Sequence, residues 1–250
     1  MKDQSYPSPL YAWYVVLVLL FAMIVSLIDR MVIALLIVPI QADISISDTD
    51  MGWILGIAFG LFYSLAGLPI GRLVDRFNRV KIISLGIALW SVATFASGMS
   101  ETFWQLFVAR MGVGFGEAVL APAGWSLIVD LFPAEKRARA LSTFQLGAVS
   151  GTGLGFLLGG AIFSIATTPE VFSGTWFENM APWRTVFFFA AAPGAVLLLL
   201  MTTVRDPRSS LSRAGLQTHT TIEDVCEFLF SRGKVRSEGR REGKESGSGW

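Results

Sequence analysis

The chain of 250 residues is 53% hydrophobic and only 16% charged, with a formal net charge of +1. Soluble domains carry about 25% charged residues, so the composition excludes an ordinary soluble globular protein. Apolar runs of about 20 residues recur along the sequence, which is the length that a helix needs to cross the hydrocarbon core. A single cysteine, Cys226, excludes an internal disulfide, and neither a metal site nor a cofactor is expected. The sequence therefore predicts an all-α, polytopic membrane protein.

Six hydrophobic segments predict six transmembrane helices, numbered here as spans one to six, at about residues 12–40, 52–71, 81–99, 103–129, 141–166 and 184–204. They divide the chain into an N-terminus (1–11), a transmembrane domain (12–204) and a cytoplasmic tail (205–250). The tail is rich in Gly, Ser, Arg, Lys and Glu, so it is predicted to be mostly disordered. One short amphipathic helix is expected within it, over residues 221–230.

Basic residues are concentrated in alternate connections between the spans. The connections after spans two and four, and the segment after span six, contain Arg72, Arg76, Arg79, Lys81, Lys136, Arg137, Arg139, Arg205 and Arg208. The other connections carry only acidic residues, with Arg184 at the start of span six as the one exception. Because cytoplasmic loops are enriched in Lys and Arg, both termini are predicted to lie in the cytoplasm, with the helices in the inner (plasma) membrane.

Four charged residues lie within predicted spans: Asp29 and Arg30 in span one, and Arg110 and Glu117 in span four. Such groups cost about 2.5–3.5 kcal/mol each on insertion scales, so they indicate a functional site. At 1.5 Å per residue, Arg110, Asp29 and Glu117 lie about 10, 16 and 21 Å below the outer ends of their helices. Asp29 is therefore within reach of either charge of span four.

Two interpretations of these charges remain open. They could form a static ion-pair cluster that only fixes helix packing. Alternatively, they line a cavity, and one carboxylate takes up a coupling proton while a nearby arginine keeps the other ionised. Tyr63 and Gln145 are further polar residues near the middle of a span that could line a pathway.

Glycines and aromatic residues also follow patterns along the spans. Gly147, Gly151, Gly155 and Gly159 recur at four-residue spacing in span five, which predicts a helix-packing stripe, although a sliding surface would have the same spacing. Aromatic residues near span ends are expected to anchor the helices at the membrane interface, where Trp and Tyr are enriched. They are Tyr11, Trp13, Trp53, Trp104 and Trp183.

The cytoplasmic loop at 71–81 has the sequence GRLVDRFNRVK. A basic turn could be a topology signal alone, but the order Gly, three residues, Asp-Arg and then basic residues resembles the loop between spans two and three of the major facilitator superfamily. Further segments resemble Spinster-like bacterial members of that superfamily: LIDR at 27–30, SDTDMG at 47–52, AGLPIG at 66–71, WQLFVAR at 104–110, AP at 121–122 and DLFP at 130–133.

The resemblance covers residues 12–204 and implies one six-helix half of a major facilitator fold. It implies an alternating-access carrier, usually proton-coupled, for a small organic or lipid-like solute, working as a symporter or an antiporter. Asp29, Arg30 and Glu117 would carry coupling and gating, with Arg110 as their electrostatic partner. Gly71, Asp75, Arg76 and Arg79 would form the cytoplasmic latch that joins the two halves.

Superfamily members have two six-helix halves, and only the amino-terminal half is expected here. The chain is interpreted as a truncated gene product, a fragment of a longer sequence, or a protein that dimerises to replace the missing carboxy-terminal half. The leading function is secondary active transport; the alternative is an inactive remnant or a non-transporting membrane assembly partner. The sequence shows no nucleophile–His arrangement or phosphate loop, so an enzyme is not expected, and nucleic acid is not an expected partner.

Overall fold

The computed structural model describes residues 6–168, 171–178 and 180–208. Within this part of the chain all regular elements are helices, and a π-helical segment, Trp53–Leu61, lies between α3 and α4. The α-helices are α1 (Pro9–Leu35), α2 (Ile37–Ile44), α3 (Asp48–Gly52), α4 (Phe62–Arg76), α5 (Arg79–Gly98), α6 (Phe103–Glu117), α7 (Leu120–Leu131), α8 (Ala134–Ala166) and α9 (Pro182–Thr203). The tail from residue 209 onward, with the helix expected over 221–230, lies outside the described residues.

Six helical stretches of the described chain are long and apolar enough to cross a membrane. They are Pro9–Leu35, Asp48–Gly67, Arg79–Gly98, Phe103–Leu131, Ala134–Ala166 and Pro182–Thr203. They correspond in order to spans one to six, and their bounds differ from the expected bounds by a few residues. The fold class is therefore that of an all-α membrane protein.

Span one, predicted over about residues 12–40, is interrupted near Leu36. Leu36 leaves the helical path with φ −97° and ψ 7°, and α2 continues the chain to Ile44. The cause is Pro39, which has no amide hydrogen and whose ring clashes with the carbonyl four residues earlier, that of Leu35. The part of span one that follows Leu36 is consequently a separate short helix, α2.

Short polar side chains determine where several helices begin. Ser47 and Asp50 form a reciprocal capping box at the start of α3, with the Asp50 amide donating to Ser47 Oγ at 3.2 Å and the Ser47 amide to Asp50 Oδ2 at 2.9 Å. Asn78 accepts from the Lys81 amide at 3.0 Å and so caps α5 directly after the basic loop. These caps fix where spans two and three begin.

The glycines of span five lie directly against span one. A Cβ atom at Gly151 would lie 2.7 Å from Leu27 Cβ, and one at Gly155 would lie 2.7 Å from Met31 Cβ. A Cβ atom at Gly153, two positions off the stripe, would meet nothing within 4 Å. The stripe therefore lets α8 approach the turns of α1 on either side of Asp29 and Arg30 more closely than any larger residue would allow.

The charged residues of span one lie between two apolar clusters. Val25 on α1 belongs to one cluster, which also includes Val113 of α6. Val32 on α1 belongs to the other, which includes Leu106 of α6. Asp29 is thus held at the point where the two cores meet, in the middle of the span.

Candidate functional site

Asp29 of α1 pairs with Arg110 of α6. Arg110 Nη1 lies 3.3 Å from Asp29 Oδ2, and both side chains are only 2% exposed. At this burial neither charge is stabilised by bulk water, so each depends on the other.

Arg30 of α1 pairs with Glu117, at the end of α6. Arg30 Nε donates to Glu117 Oε2 at 2.7 Å; the glutamate side chain is fully buried, whereas that of Arg30 is 24% exposed. Neighbours in sequence on α1 therefore bind residues that lie seven positions apart on α6. Together the two pairs connect span one to span four at two levels along the helix axes.

Each carboxylate of these pairs keeps one oxygen without a hydrogen bond. Asp29 Oδ1 and Glu117 Oε1 are buried and have no partner among the described residues. A buried acceptor that lacks a donor is costly, and protonation of the carboxylate would remove its charge. Each of the two acids therefore keeps one unsatisfied acceptor oxygen within the buried cluster. Within the described chain, no group of three or more His, Cys, Asp or Glu residues could hold a metal ion.

Two aromatic residues of span two surround the exposed side of Arg30. The Arg30 guanidinium carbon lies 4.7 Å from the ring centre of Phe59 and 4.6 Å from that of Tyr63. The guanidinium carbon of Arg110 lies 5.8 Å from the same Phe59 ring. Tyr63 was a candidate from its polarity, whereas Phe59 was missed because an apolar residue in a span gives no signal of its own. Gln145, the other candidate, is exposed.

The residues of the predicted latch have different environments. The side chain of Arg79 is completely buried, and its Nη1 lies 2.7 Å from Asp130 Oδ2 and 2.8 Å from the Ser126 carbonyl oxygen of α7. Its guanidinium also binds both carboxylate oxygens of Asp206, which follows span six. Arg208 Nε lies 2.7 Å from the same Asp130 Oδ2. Arg79 therefore joins spans three, four and six within this half.

The other latch residues are accessible. Asp75 and Arg76 are exposed and form no ion pair within the described chain, and Gly71 is half-buried one turn earlier on α4. Two charged side chains of the motif thus lie on the surface, separate from the buried position of Arg79.

The ion-pair cluster around Arg79 changes the pKa of Asp206. Burial alone would raise the pKa of Asp206, but hydrogen bonds from the Arg79 side chain and the positive charge of Arg79 lower it below its ordinary value. The amides of Arg79 and Arg208 also donate to this carboxylate. Asp206 is therefore ionised in the folded protein at neutral pH.

A second cluster connects spans one, three and six at the ends opposite the basic loops. Asp43 Oδ2 accepts from Trp183 Nε1 at 3.0 Å and from Arg184 Nη2 at 3.0 Å, and Arg184 Nη1 donates to the Gly98 carbonyl at 3.4 Å. The charge of Arg184 is thus compensated locally, which accounts for a basic residue in a connection that otherwise carries acids. The expectation that Trp183 anchors the helix at the interface is wrong, because its ring is 1% exposed and its NH binds Asp43. Trp104 remains 69% exposed.

Comparison with known proteins relates this arrangement to one family. Residues 19–236 match the family described as Major Facilitator Superfamily. Protein spinster homolog 1 of Xenopus tropicalis is 32% identical over 224 residues, covering 86% of this chain and 39% of the relative. Sphingosine-1-phosphate transporter SPNS2 of Danio rerio is 31% identical over 214 residues, covering 84% of this chain and 40% of the relative. The chain thus spans about two fifths of the length of these curated relatives.

Solved structures show the same fold. A bacterial homolog to the human lysosomal transporter Spinster, in an inward-facing and unoccupied conformation, matches with a TM-score of 0.73 and 37% identity, covering 80% of this chain and 44% of that one. The D-xylose-proton symporter matches in fold, with a TM-score of 0.62 at 20% identity, over 88% of this chain and 53% of that one. The chain therefore belongs to the major facilitator superfamily, as a Spinster-like member that corresponds to the amino-terminal half.

Proposed function

We propose that this chain forms the amino-terminal half of a proton-coupled, alternating-access transporter for a small organic or amphiphilic solute. The proposal rests on two ion pairs between α1 and α6, in the interior of spans one and four. Asp29 binds Arg110, and Arg30 binds Glu117. A cluster of ion pairs that only fixes helix packing would have the same distances. The free oxygen on each buried carboxylate favours a titrating role, because a purely structural cluster gains from satisfying every acceptor.

In the proposed cycle, a proton from the water-facing side binds the carboxylate of Glu117, because its partner Arg30 is the more exposed of the two arginines; protonation of Asp29 is the alternative. The neutral acid loses its Coulombic attraction to the arginine, so the connection between span one and span four weakens at that level. The other pair keeps the helices in register while one side of the cavity opens. Release of the proton to the opposite side restores the ion pair and returns the carrier to its first state.

The environment of Arg30 favours an amphiphilic solute. The Arg30 side chain is 24% exposed and its guanidinium lies beside the rings of Phe59 and Tyr63, so a charged group and apolar ring surfaces are presented together. The similarity to a protein named as a sphingosine-1-phosphate transporter supports the same class of solute here. Sphingosine-1-phosphate is accordingly the first probe to use, and D-xylose is a polar comparison.

The remaining parts of the carrier follow from the same proposal. The cytoplasmic side bears the basic loops and both termini, and the protein lies in the inner (plasma) membrane. Asp75 and Arg76 are exposed at that side, where they can reach a second six-helix half. That half is supplied by a carboxy-terminal six-helix segment or by a second copy of this chain, and the solute is bound between the two halves.

Proteoliposomes test the proposal. The full chain is reconstituted alone and after fusion to the carboxy-terminal half of the bacterial Spinster homolog, and counterflow of labelled sphingosine-1-phosphate is measured. The fusion should exchange the lipid, and a pH gradient should drive its uptake. Asp29→Asn should abolish pH-driven uptake without loss of membrane insertion, and Glu117→Gln is measured beside it. Unchanged pH-driven uptake in both variants would overturn the proposal.

A further inference from the structure

A π-helical segment positions the aromatic residues beside the ion pairs. Trp53–Leu61 is π-helical over nine residues, and such segments are rare and occur frequently at functional sites. Phe59 lies near its end, and Tyr63 follows four residues later on α4. Their rings stack with centres 5.6 Å apart and an interplanar angle of 21°. The two rings thus form one continuous aromatic surface in the middle of span two.

This aromatic surface is a second binding partner for Arg30. The guanidinium lies over both rings at nearly equal distance while its Nε binds Glu117. A cation over the face of an aromatic ring is attracted by the negative potential of that face, and the attraction increases when the site is shielded from water. Arg30 is therefore held by the Glu117 carboxylate and also by the faces of two aromatic rings, whose attraction does not depend on the charge of that carboxylate.

The position of Phe59 is fixed by its fit to span four. A Cβ atom at Gly114 of α6 would lie only 2.6 Å from the Phe59 carbonyl oxygen, so glycine allows this close approach. The approach also brings the Phe59 ring to 5.8 Å from the Arg110 guanidinium. The Phe59 ring therefore lies near both cations of the cluster, where the negative potential of its faces reduces their mutual repulsion.

We propose that Phe59 and Tyr63 are positioning residues that hold the Arg30 guanidinium in its site when Glu117 is protonated. The proposal rests on the proposed function of Glu117 as a coupling acid. A proton on Glu117 removes the charge that attracts Arg30, while Asp29 remains paired with Arg110. Only the aromatic surface then opposes the movement of Arg30 into water, so it keeps the cation beside the acid to which it must return when the proton leaves.

Nuclear magnetic resonance of the full chain in lipid nanodiscs, labelled with ¹⁵N-arginine, tests this directly. The Arg30 Nε–H signal is identified by its loss in Arg30→Lys, and the ring currents of Phe59 and Tyr63 should shift it upfield. Glu117→Gln reproduces the neutral acid without any change of pH. We expect the upfield shift to persist in Glu117→Gln and to be lost when Phe59→Leu and Tyr63→Leu are added.

Conservative variants separate the aromatic surface from general packing. Phe59→Tyr and Tyr63→Phe in the Glu117→Gln background keep the rings and should retain the shift, whereas each single leucine variant should lose part of it. The Arg79 Nε–H signal, from the buried cytoplasmic cluster, reports whether each variant is folded. If the double leucine variant does not fold, the single leucine variants decide the question.

Two results would overturn the inference. The first is loss of the Arg30 shift in Glu117→Gln with both rings intact; the second is an unchanged shift after removal of a ring. Failure of the proposed function gives a different result. In that case the wild-type Arg30 signal would not respond to pH, while the dependence on the rings in Glu117→Gln would remain.

Discussion

Arg110 and Asp29 form an ion pair between α6 and α1 in which both side chains are only 2% exposed. Removing one partner of a buried pair leaves an uncompensated charge and costs about 3–5 kcal/mol, which is more than the loss of an exposed pair. The pair is therefore central to the stability of this half and to its proposed mechanism.

Arg110→Gln should lower the free energy of unfolding by about 3 kcal/mol, because it leaves Asp29 buried and unpaired. The double variant Asp29→Asn with Arg110→Gln should be more stable than Arg110→Gln alone, since no charge is then left without a partner. Unfolding in detergent measures both variants, and Arg72→Gln, at an exposed position, is the control. Additive losses in the double variant would contradict the ion-pair account.

Gly151→Ala and Gly153→Ala form a matched pair on α8. A methyl group at Gly151 would lie 2.7 Å from Leu27 Cβ, whereas one at Gly153 would meet nothing within 4 Å. Alanine favours a helix by about 0.5–1 kcal/mol over glycine, so Gly153→Ala should be neutral or stabilising and Gly151→Ala should destabilise. Thermal unfolding midpoints of the two variants decide whether the stripe is a packing surface; equal midpoints would contradict it.

Asp206→Asn should destabilise the protein in a pH-dependent manner. The pKa of Asp206 is lowered in the folded state, so the unfolded state binds more protons near pH 4. The stability that Asp206 contributes is therefore fully present above its unfolded pKa of about 3.9 and is lost as the pH falls through the lower folded value.

The free energy of unfolding of wild type and Asp206→Asn should consequently differ most at neutral pH, by about 1.5–3 kcal/mol, and converge in acid. Asp75→Asn, which changes an exposed acid without an ion pair in the described chain, serves as the control. A difference that stayed constant with pH would show that Asp206 acts through packing alone.

The orientation in the membrane can be measured by cysteine accessibility. In a Cys226→Ser background, Thr49→Cys lies in the first turn of α3, next to the connection after span one, and Lys136→Cys lies in the first turn of α8, next to the basic connection after span four; both positions are exposed. A membrane-impermeant maleimide added to intact cells should label only Thr49→Cys, because the basic connections are expected to face the cytoplasm. Labelling of Lys136→Cys instead would reverse the proposed orientation.

The sequence was sufficient to identify which residues belong to the charged cluster, because the depths of Asp29, Arg110 and Glu117 follow from helix rise alone. It could not assign the partners. Which charged residue of span one binds which charged residue of span four depends on the rotation of the two helices about their axes. Spacing within one helix does not determine that rotation. The glycine stripe of span five could be predicted because its four-residue period is a property of one helix. The same holds for the depth of each charged residue along its own helix.

Features that depend on distant parts of the chain were not predictable. Arg79 belongs to a loop motif with Asp75 and Arg76, but its burial depends on Asp206, which lies 127 positions further along. Trp183 has the amphipathic side chain of an interface anchor. It is nevertheless buried in an apolar cluster, and its indole NH binds Asp43. The role of Phe59 required the π-helical register of span two, for which hydrophobic periodicity gives no signal.

Glutamate-to-glutamine variants of the fusion protein test the central claim most directly. Uptake of labelled sphingosine-1-phosphate into proteoliposomes is measured with and without a pH gradient for wild type, Glu117→Gln and the exposed control Glu101→Gln. The account predicts that Glu117→Gln loses at least about tenfold of gradient-driven uptake, equivalent to about 1.4 kcal/mol, but retains counterflow, while Glu101→Gln behaves as wild type. Gradient-driven uptake by Glu117→Gln at the wild-type rate would contradict it.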